Sequence, residues 1–446
     1  MTNSKQKILQ FGTGNFLRGF IEPMVQTLQE KGYPLEVILI QSTGGNTLEE
    51  LKKQEFNYTL HLAGLHRGVE VNEEKKISCI TQGISLPQDW EIFISYSRDP
   101  EVKWILSNVT EAGLVWEAEH EATVPASSFP ARLTQWLYQR FRYLPQQHTN
   151  LLPCELLPSN GELLKKWVKQ HAKNWSLSED FFSWMESTCK FYTTLVDRIV
   201  PGFPRLEKQP IEQFKDRFAV QAEPYCFWGI QGGNSDRANL PFLDSDHGVV
   251  LCDSLDFFTK RKITLLNGLH TYMASLGKCR GITTVREYLM DEKRLAEVQH
   301  LLFEELLPYL SGPQESLQLY AAEVMERLLN PFVQHQLRDI SLHSISKFSS
   351  RLKPVCQFYE AKEVGLPKEL AKGLVALCLV MLRFTDEMRD TEENLKQIEK
   401  IKKQRKNEFE RVIQLSQLFF GLSSRHAIQS AYKEISNADG LVFFKS

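Results

Sequence analysis

Lys262, Asn267 and His270 stand in an otherwise apolar run, Lys-Ile-Thr-Leu-Leu-Asn-Gly-Leu-His followed by Thr-Tyr-Met-Ala-Ser-Leu-Gly. Burying a lysine, a carboxamide and an imidazole is costly unless each meets a partner or a substrate. The set offers an acid/base and two hydrogen-bonding groups, the parts of a proton-transfer site. On a helix turning about 100° per residue, Asn267 and His270 project about 60° apart and Lys262 about 80° from His270. Eight residues of helix rise about 12 Å, more than a lysine side chain spans, which puts Lys262 at or before the helix's first turn. The same three residues also fit a solvated lysine, a core-facing asparagine and a satisfied histidine, and spacing alone does not choose.

The elements upstream supply a second chemical feature. Residues 7–11 read as a buried strand, and Gly12-Thr13-Gly14-Asn15-Phe16-Leu17-Arg18 then turns into a helix running toward Glu30. A strand, a tight glycine turn and a helix start form a phosphate cradle of backbone N–H groups. Leu17 occupies the place of the usual third glycine. The next strand, 35–41, ends in Gln41-Ser42-Thr43, not in the acid that would take a ribose diol, so a 2′-phosphorylated cofactor stays open. Residues 58–63 and 75–80 read as strands. Residues 104–113 read as another, with a polar exit at Asn108 and Thr110. A helix at 131–141, a strand at 150–157, a helix at 161–174 and a last strand at 249–253 continue the alternation that marks a mostly parallel α/β sheet. Asp197-Arg198, inside an apolar stretch, reads as a structural ion pair.

From there the texture changes. Residues 283–310, 314–329, 339–352, 368–383 and 391–421 carry helical periodicity, and the Lys-, Glu- and Gln-rich stretch 395–411 is a solvated helix face. The layout is an α/β domain over 1–255 and a mainly helical domain over 256–446. With 53 Lys plus Arg against 55 Asp plus Glu, no charge excess points to nucleic acid or an anionic membrane. The eight cysteines show no C-x-x-C pair and no zinc spacing. The N-terminus lacks a signal-peptide core, and the apolar run 373–382 is short of the roughly 20 residues of a membrane span, which together indicate the cytoplasm.

Four marks carry a resemblance: Gly12-x-Gly14-Asn15-Phe16-x-Arg18, Val196-Asp197-Arg198-Ile199, Lys262-x4-Asn267-Gly268-x-His270 and Asn330-Pro331. With them the chain resembles the mannitol dehydrogenase family of polyol-specific long-chain dehydrogenases. Ser107-Asn108-x-Thr110-Glu111-Ala112-Gly113, Pro153-Cys154-Glu155-Leu156 and His335-Gln336-Leu337 fit its uronate branch best. The resemblance implies a Rossmann-like N-terminal domain and a helical C-terminal one. It also implies NAD held by Gly12, Gly14, Asn15, Phe16, Arg18, Gln41, Asn108 and Thr110. Lys262 would then be the general acid/base, Asn267 an oxyanion donor and His270 the residue that orients a small uronate or ketose, without metal. Thr193 replaces the family's second oxyanion asparagine, and Thr259 replaces a glutamate of its proton path. Lys347 corresponds to a lysine of the family's substrate region and would meet a uronate carboxylate; for His335 and Arg351, nearby in sequence, surface or capping roles suffice. A nucleotide-binding sensor without turnover would have no need of Lys262, Asn267 and His270 together.

Overall fold

The computed structural model describes residues 5–110, 112–119, 124–203, 216–333 and 335–437; Glu111 and the first four residues lie outside them. The chain forms two compact units. One takes in the chain up to Ala63 together with Val71–Leu255, and the other Gly64–Glu70 together with the chain from Asp256 onward.

The strands of the described residues are β1 Gln6–Phe11, β2 Leu35–Gln41, β3 Tyr58–His66, β4 Val69–Ile77, β5 Ile80–Ser85, β6 Val102–Ser107, β7 Thr149–Pro153, β8 Cys189–Phe191, β9 Thr194–Asp197, β10 Val220–Ala222, β11 Phe227–Gln231 and β12 Val249–Cys252, all in the first unit but for the adjoining ends of β3 and β4. Six form one all-parallel sheet in the order β5-β2-β1-β6-β7-β8. Counted by appearance in the chain, that order is 3-2-1-4-5-6, the doubly wound arrangement in which the winding reverses between β1 and β6. Alternate residues of these strands feed two cores, Ile8, Val37, Leu39 and Leu106 on one face and Leu9, Ile38, Ile40 and Ile105 on the other. Burial on both faces explains why the strands read as continuous apolar runs.

Several local expectations differ from the fold. The helix toward Glu30 is broken into Asn15–Arg18 and Ile21–Glu30, and a Cβ on Gly19, in the break, would lie 2.8 Å from a Val200 methyl. Residues 75–80 are the junction of β4 and β5, and the strand at 104–113 ends at Ser107. Strand β12 joins β11 and β9 in a separate small sheet. Arg198 forms no ion pair with Asp197: its guanidinium donates to Glu223 O and Gly19 O, both at 2.9 Å. Neighbours along an extended chain point to opposite sides, so adjacency in sequence works against such a pair.

The second unit is helical. Its central helix, Lys368–Arg383, is buried from Glu369 to Leu382 and packs on Gly268–Arg280 and Arg425–Asn437. Gly373 lets the first pair approach, since a Cβ there would stand 2.9 Å from the Tyr272 ring. The stretch 283–310 is not one helix but Val285–Leu289 and Glu292–His300, the latter continuing through a wide turn over Leu301–Leu306. Helices Glu179–Thr188, Lys353–Ala361 and Arg425–Asn437 add to the segments legible in the sequence. No helix among the described residues is long and apolar enough to cross a membrane.

Candidate functional site

Lys262 does not stand at the head of a helix. Residues 256–280 are helical throughout: Asp256–Lys262 is α-helical, Ile263–Asn267 forms a π-turn and Gly268–Arg280 resumes the α-helix. In an unbroken α-helix, five residues at about 100° each would leave Lys262 and Asn267 about 140° apart. A turn closed by i→i+5 bonds takes in one more residue, which brings positions five apart close to one ridge. Asn267 and His270, three apart in the resumed α-helix, are neighbours by ordinary spacing. The π-turn therefore turns the three polar groups toward one side of the helix, while most of the axial rise between Lys262 and His270 remains.

The surroundings hold this ridge in place. The Asn267 carbonyl accepts from Thr271 Oγ1 at 3.0 Å and from Arg351 Nη1 at 3.4 Å. Its side-chain amide makes no hydrogen bond among the described residues. His270, 8% exposed, packs edge-on against His335, ring centroids 5.2 Å apart. Burial and then the Arg327 charge push the His335 imidazole below its ordinary pKa, toward the neutral form. A cavity of about 840 Å³ opens along the Gly268–Arg280 helix, its wall including Thr271, Ser275, Ser344 and Lys347 but none of Lys262, Asn267 and His270.

In the α/β unit the glycine turn sits where the winding reverses. Gly12 has φ +115°, and a Cβ there would stand 2.7 Å from Asn108 O, so the turn after β1 lies directly on the exit of β6. A Cβ on Gly14 would meet nothing within 4 Å, and the amides of Thr13 and Gly14 donate to no acceptor among the described residues. Asn15 is exposed, Phe16 stacks on Phe20 and Thr110 is exposed with φ +69°. Two residues assigned to cofactor contact have their polar atoms turned inward instead. Arg18 donates to Phe218 O and Asn15 Oδ1, and Gln41 bridges Gly45 O and the Leu48 amide. Asn108 donates to Cys154 O and thereby ties the exits of β6 and β7. Thr193, between β8 and β9, is half-buried and its hydroxyl makes no hydrogen bond among the described residues.

Residues 6–243 match the mannitol dehydrogenase Rossmann domain, and residues 254–437 the mannitol dehydrogenase C-terminal domain. The chain belongs to the mannitol dehydrogenase family. Members are dehydrogenases acting on CH–OH groups. Among curated members it is similar to altronate oxidoreductases from Phocaeicola vulgatus and Bacillus subtilis, each 35% identical over 384 residues, 84% of this chain and 80% of theirs. Among solved structures it is similar to a substrate-free D-sorbitol dehydrogenase (TM-score 0.79, 18% identity, covering 97% of this chain and 94% of that one). It is also similar to Pseudomonas fluorescens mannitol 2-dehydrogenase with NAD and D-mannitol (TM-score 0.70, 19% identity, covering 98% and 92%).

Two residues that organise this mannitol dehydrogenase fold escaped functional reading of the sequence. The buried Glu155 carboxylate accepts from the Val109 amide at 2.9 Å and from Ser107 Oγ at 3.1 Å, which shapes the exit of β6. Burial raises its pKa and these hydrogen bonds oppose the rise. Asn160 bonds the carbonyls of Pro153, Glu155 and Thr194 and accepts from the Thr194 amide. The signals were the Pro153-Cys154-Glu155 motif and the polar Asn160-Gly161 at a helix start; which carbonyls they meet depends on the crossover.

Proposed function

We propose that the chain is an NAD-dependent reductase interconverting tagaturonate and altronate. The observation that carries this reading is its 35% identity, over 84% of its length, to altronate oxidoreductases. The glycine turn fits a nicotinamide dinucleotide: Gly12 brings the backbone tight against β6, and Gly14 leaves open space beside amides that have no acceptor among the described residues. When bound, that cofactor supplies a hydride to a ketone carbon or takes one from an alcohol carbon.

The chain's own residues handle the proton and the oxygen. In the direction of reduction the Lys262 ammonium gives a proton to the ketone oxygen, and in oxidation the amine takes it back. The Asn267 amide donates to that oxygen as negative charge develops, a contribution of about two to three powers of ten. His270, braced by His335, orients the sugar hydroxyls. Lys262 and Asn267 between them polarise the carbonyl, so the reaction needs no metal. Lys347 faces the carboxylate that distinguishes a uronate from a sugar alcohol.

The test is loss of NADH absorbance with tagaturonate, fructuronate and fructose as substrates and NADPH as the comparison cofactor. The reading requires the highest kcat/KM with tagaturonate and NADH. A preference for fructuronate or fructose reassigns the substrate within the family, and no turnover with any of the three refutes a reductase.

A further inference from the structure

Helix Ser344–Arg351 carries Lys347 and Arg351 four residues apart, on one face. Arg351 ends the helix but does not cap it. Its Nη1 reaches the Lys262 helix and donates to Thr271 Oγ1 at 3.0 Å and Asn267 O at 3.4 Å. Its Nε and Nη2 make no hydrogen bond among the described residues. Lys347 Nζ donates to Ile340 O at 2.9 Å, and its side chain lines the 840 Å³ cavity alongside Thr271.

Among the described residues neither cation has a carboxylate within ion-pair reach. The other charges around the cavity are matched or solvated: Lys278 pairs with Glu387, Arg338 with Asp339, and Arg389 is exposed. Burial alone lowers the Arg351 guanidinium to about 10, and burial followed by the Arg351 charge lowers Lys347. Two like charges, partly out of water and without an acid, are unfavourable in the free protein; an anion between them removes the cost. An arginine with a free Nε–Nη2 edge matches the two oxygens of a carboxylate, which an ammonium cannot do.

We propose that the free edge of Arg351, with Lys347 beside it, receives the substrate carboxylate and is what separates hexuronates from neutral ketoses; this rests on the reading of the chain as a hexuronate reductase. Because Nη1 stays anchored to Asn267 O and Thr271, the fork is held at a fixed place relative to the Asn267 amide. One end of the sugar is thereby located while the other end reacts.

The experiment compares wild type, Arg351→Gln and Arg351→Lys with tagaturonate and fructose. A charge-assisted hydrogen bond is worth about ten- to a hundredfold in binding. Arg351→Gln should lower kcat/KM for tagaturonate by that factor relative to fructose, with the extra loss lying in the tagaturonate KM, over and above any loss the two substrates share through the Asn267 contact. Arg351→Lys should recover part of the loss, since it restores charge without the fork. A KM within about threefold of wild type overturns the proposal. So does an equal fall in kcat on both substrates, which would mean that Arg351 only braces Asn267. If Arg351→Gln does not fold, Lys347→Met, whose Nζ bonds a single carbonyl, carries the same test. A wild type that reduces fructose and not tagaturonate refutes the hexuronate reading and the clamp together. A wild type that reduces tagaturonate alongside an indifferent Arg351→Gln refutes the clamp alone.

Discussion

Gly12→Ala and Gly14→Ala, two residues apart in one turn, should fail in opposite ways. At Gly12 the backbone has φ +115°, and a new Cβ would stand 2.7 Å from the Asn108 carbonyl oxygen, a backbone atom that cannot swing aside. Holding a non-glycine residue in such a conformation costs about 1–3 kcal/mol before the clash is counted. At about 2–4 °C per kcal/mol for a unit of this size, Tm should fall by about 2–12 °C. At Gly14, φ is −72°, and the Cβ meets nothing within 4 Å. Folding loses less than about 1 kcal/mol there, the cost of alanine at a helix N-cap. The methyl instead enters the space beside the unbonded amides, and NADH affinity should drop about tenfold or more. Calorimetry and NADH fluorescence titration on both variants read the two effects separately. Equal losses of Tm would show that the turn is not strained as described. A Gly14→Ala variant with wild-type NADH affinity would show that the pyrophosphate does not lie there.

Three further outcomes are expected of single substitutions elsewhere in the chain. Lys262→Ala should lower kcat by about two to four powers of ten and leave the NADH Kd within about threefold; near-normal turnover would remove Lys262 as the acid/base. Lys372, 1% exposed and bonded to Glu297, Glu369 and Glu434, should on replacement by methionine destabilise the helical unit by about 3–5 kcal/mol, measured as a fall in its Tm, because three carboxylates lose their counter-charge. Glu305 accepts the Glu369 and Leu370 amides at the start of the central helix, yet burial raises its pKa to about 7 from an ordinary 4.5. The folded state therefore holds this proton where the unfolded chain has released it. Stability should fall as pH rises from about 4.5 to 7, by up to about 1.4 kcal/mol per unit, and level off above. Chemical denaturation across that range should show the slope in wild type and a flatter profile in Glu305→Gln; equal slopes would exclude Glu305 as its source.

Elements whose pattern is local were legible. The runs at 35–41 and 368–383 are mostly apolar because both are largely buried, and the ends read from the sequence coincide with β2 and the central helix. Where expectation failed, a contact distant in sequence was responsible. The helix after Gly14 breaks because Gly19 abuts Val200. Arg198 leaves its neighbour Asp197 for Gly19 O and Glu223 O, and Gln41 is drawn into its own loop by Leu48. Arg351 looked like a surface arginine because nothing local shows that Thr271 and Asn267, eighty and more residues earlier, lie beneath it.

The sequence by itself determined the alternation of strand and helix, the glycine turn, the change to helices near residue 256 and the identities of Lys262, Asn267 and His270, since each is a matter of residue type at short spacing. The tertiary structure decided how those groups are used. The five-residue step from Lys262 to Asn267 conflicts with a 3.6-residue helix, and the π-turn over Ile263–Asn267 resolves the conflict. Which amides stay open beside Gly14, which carboxylate shapes the exit of β6 and which arginine is left without an acid depend on elements that packing alone brings together, and no local pattern encodes them.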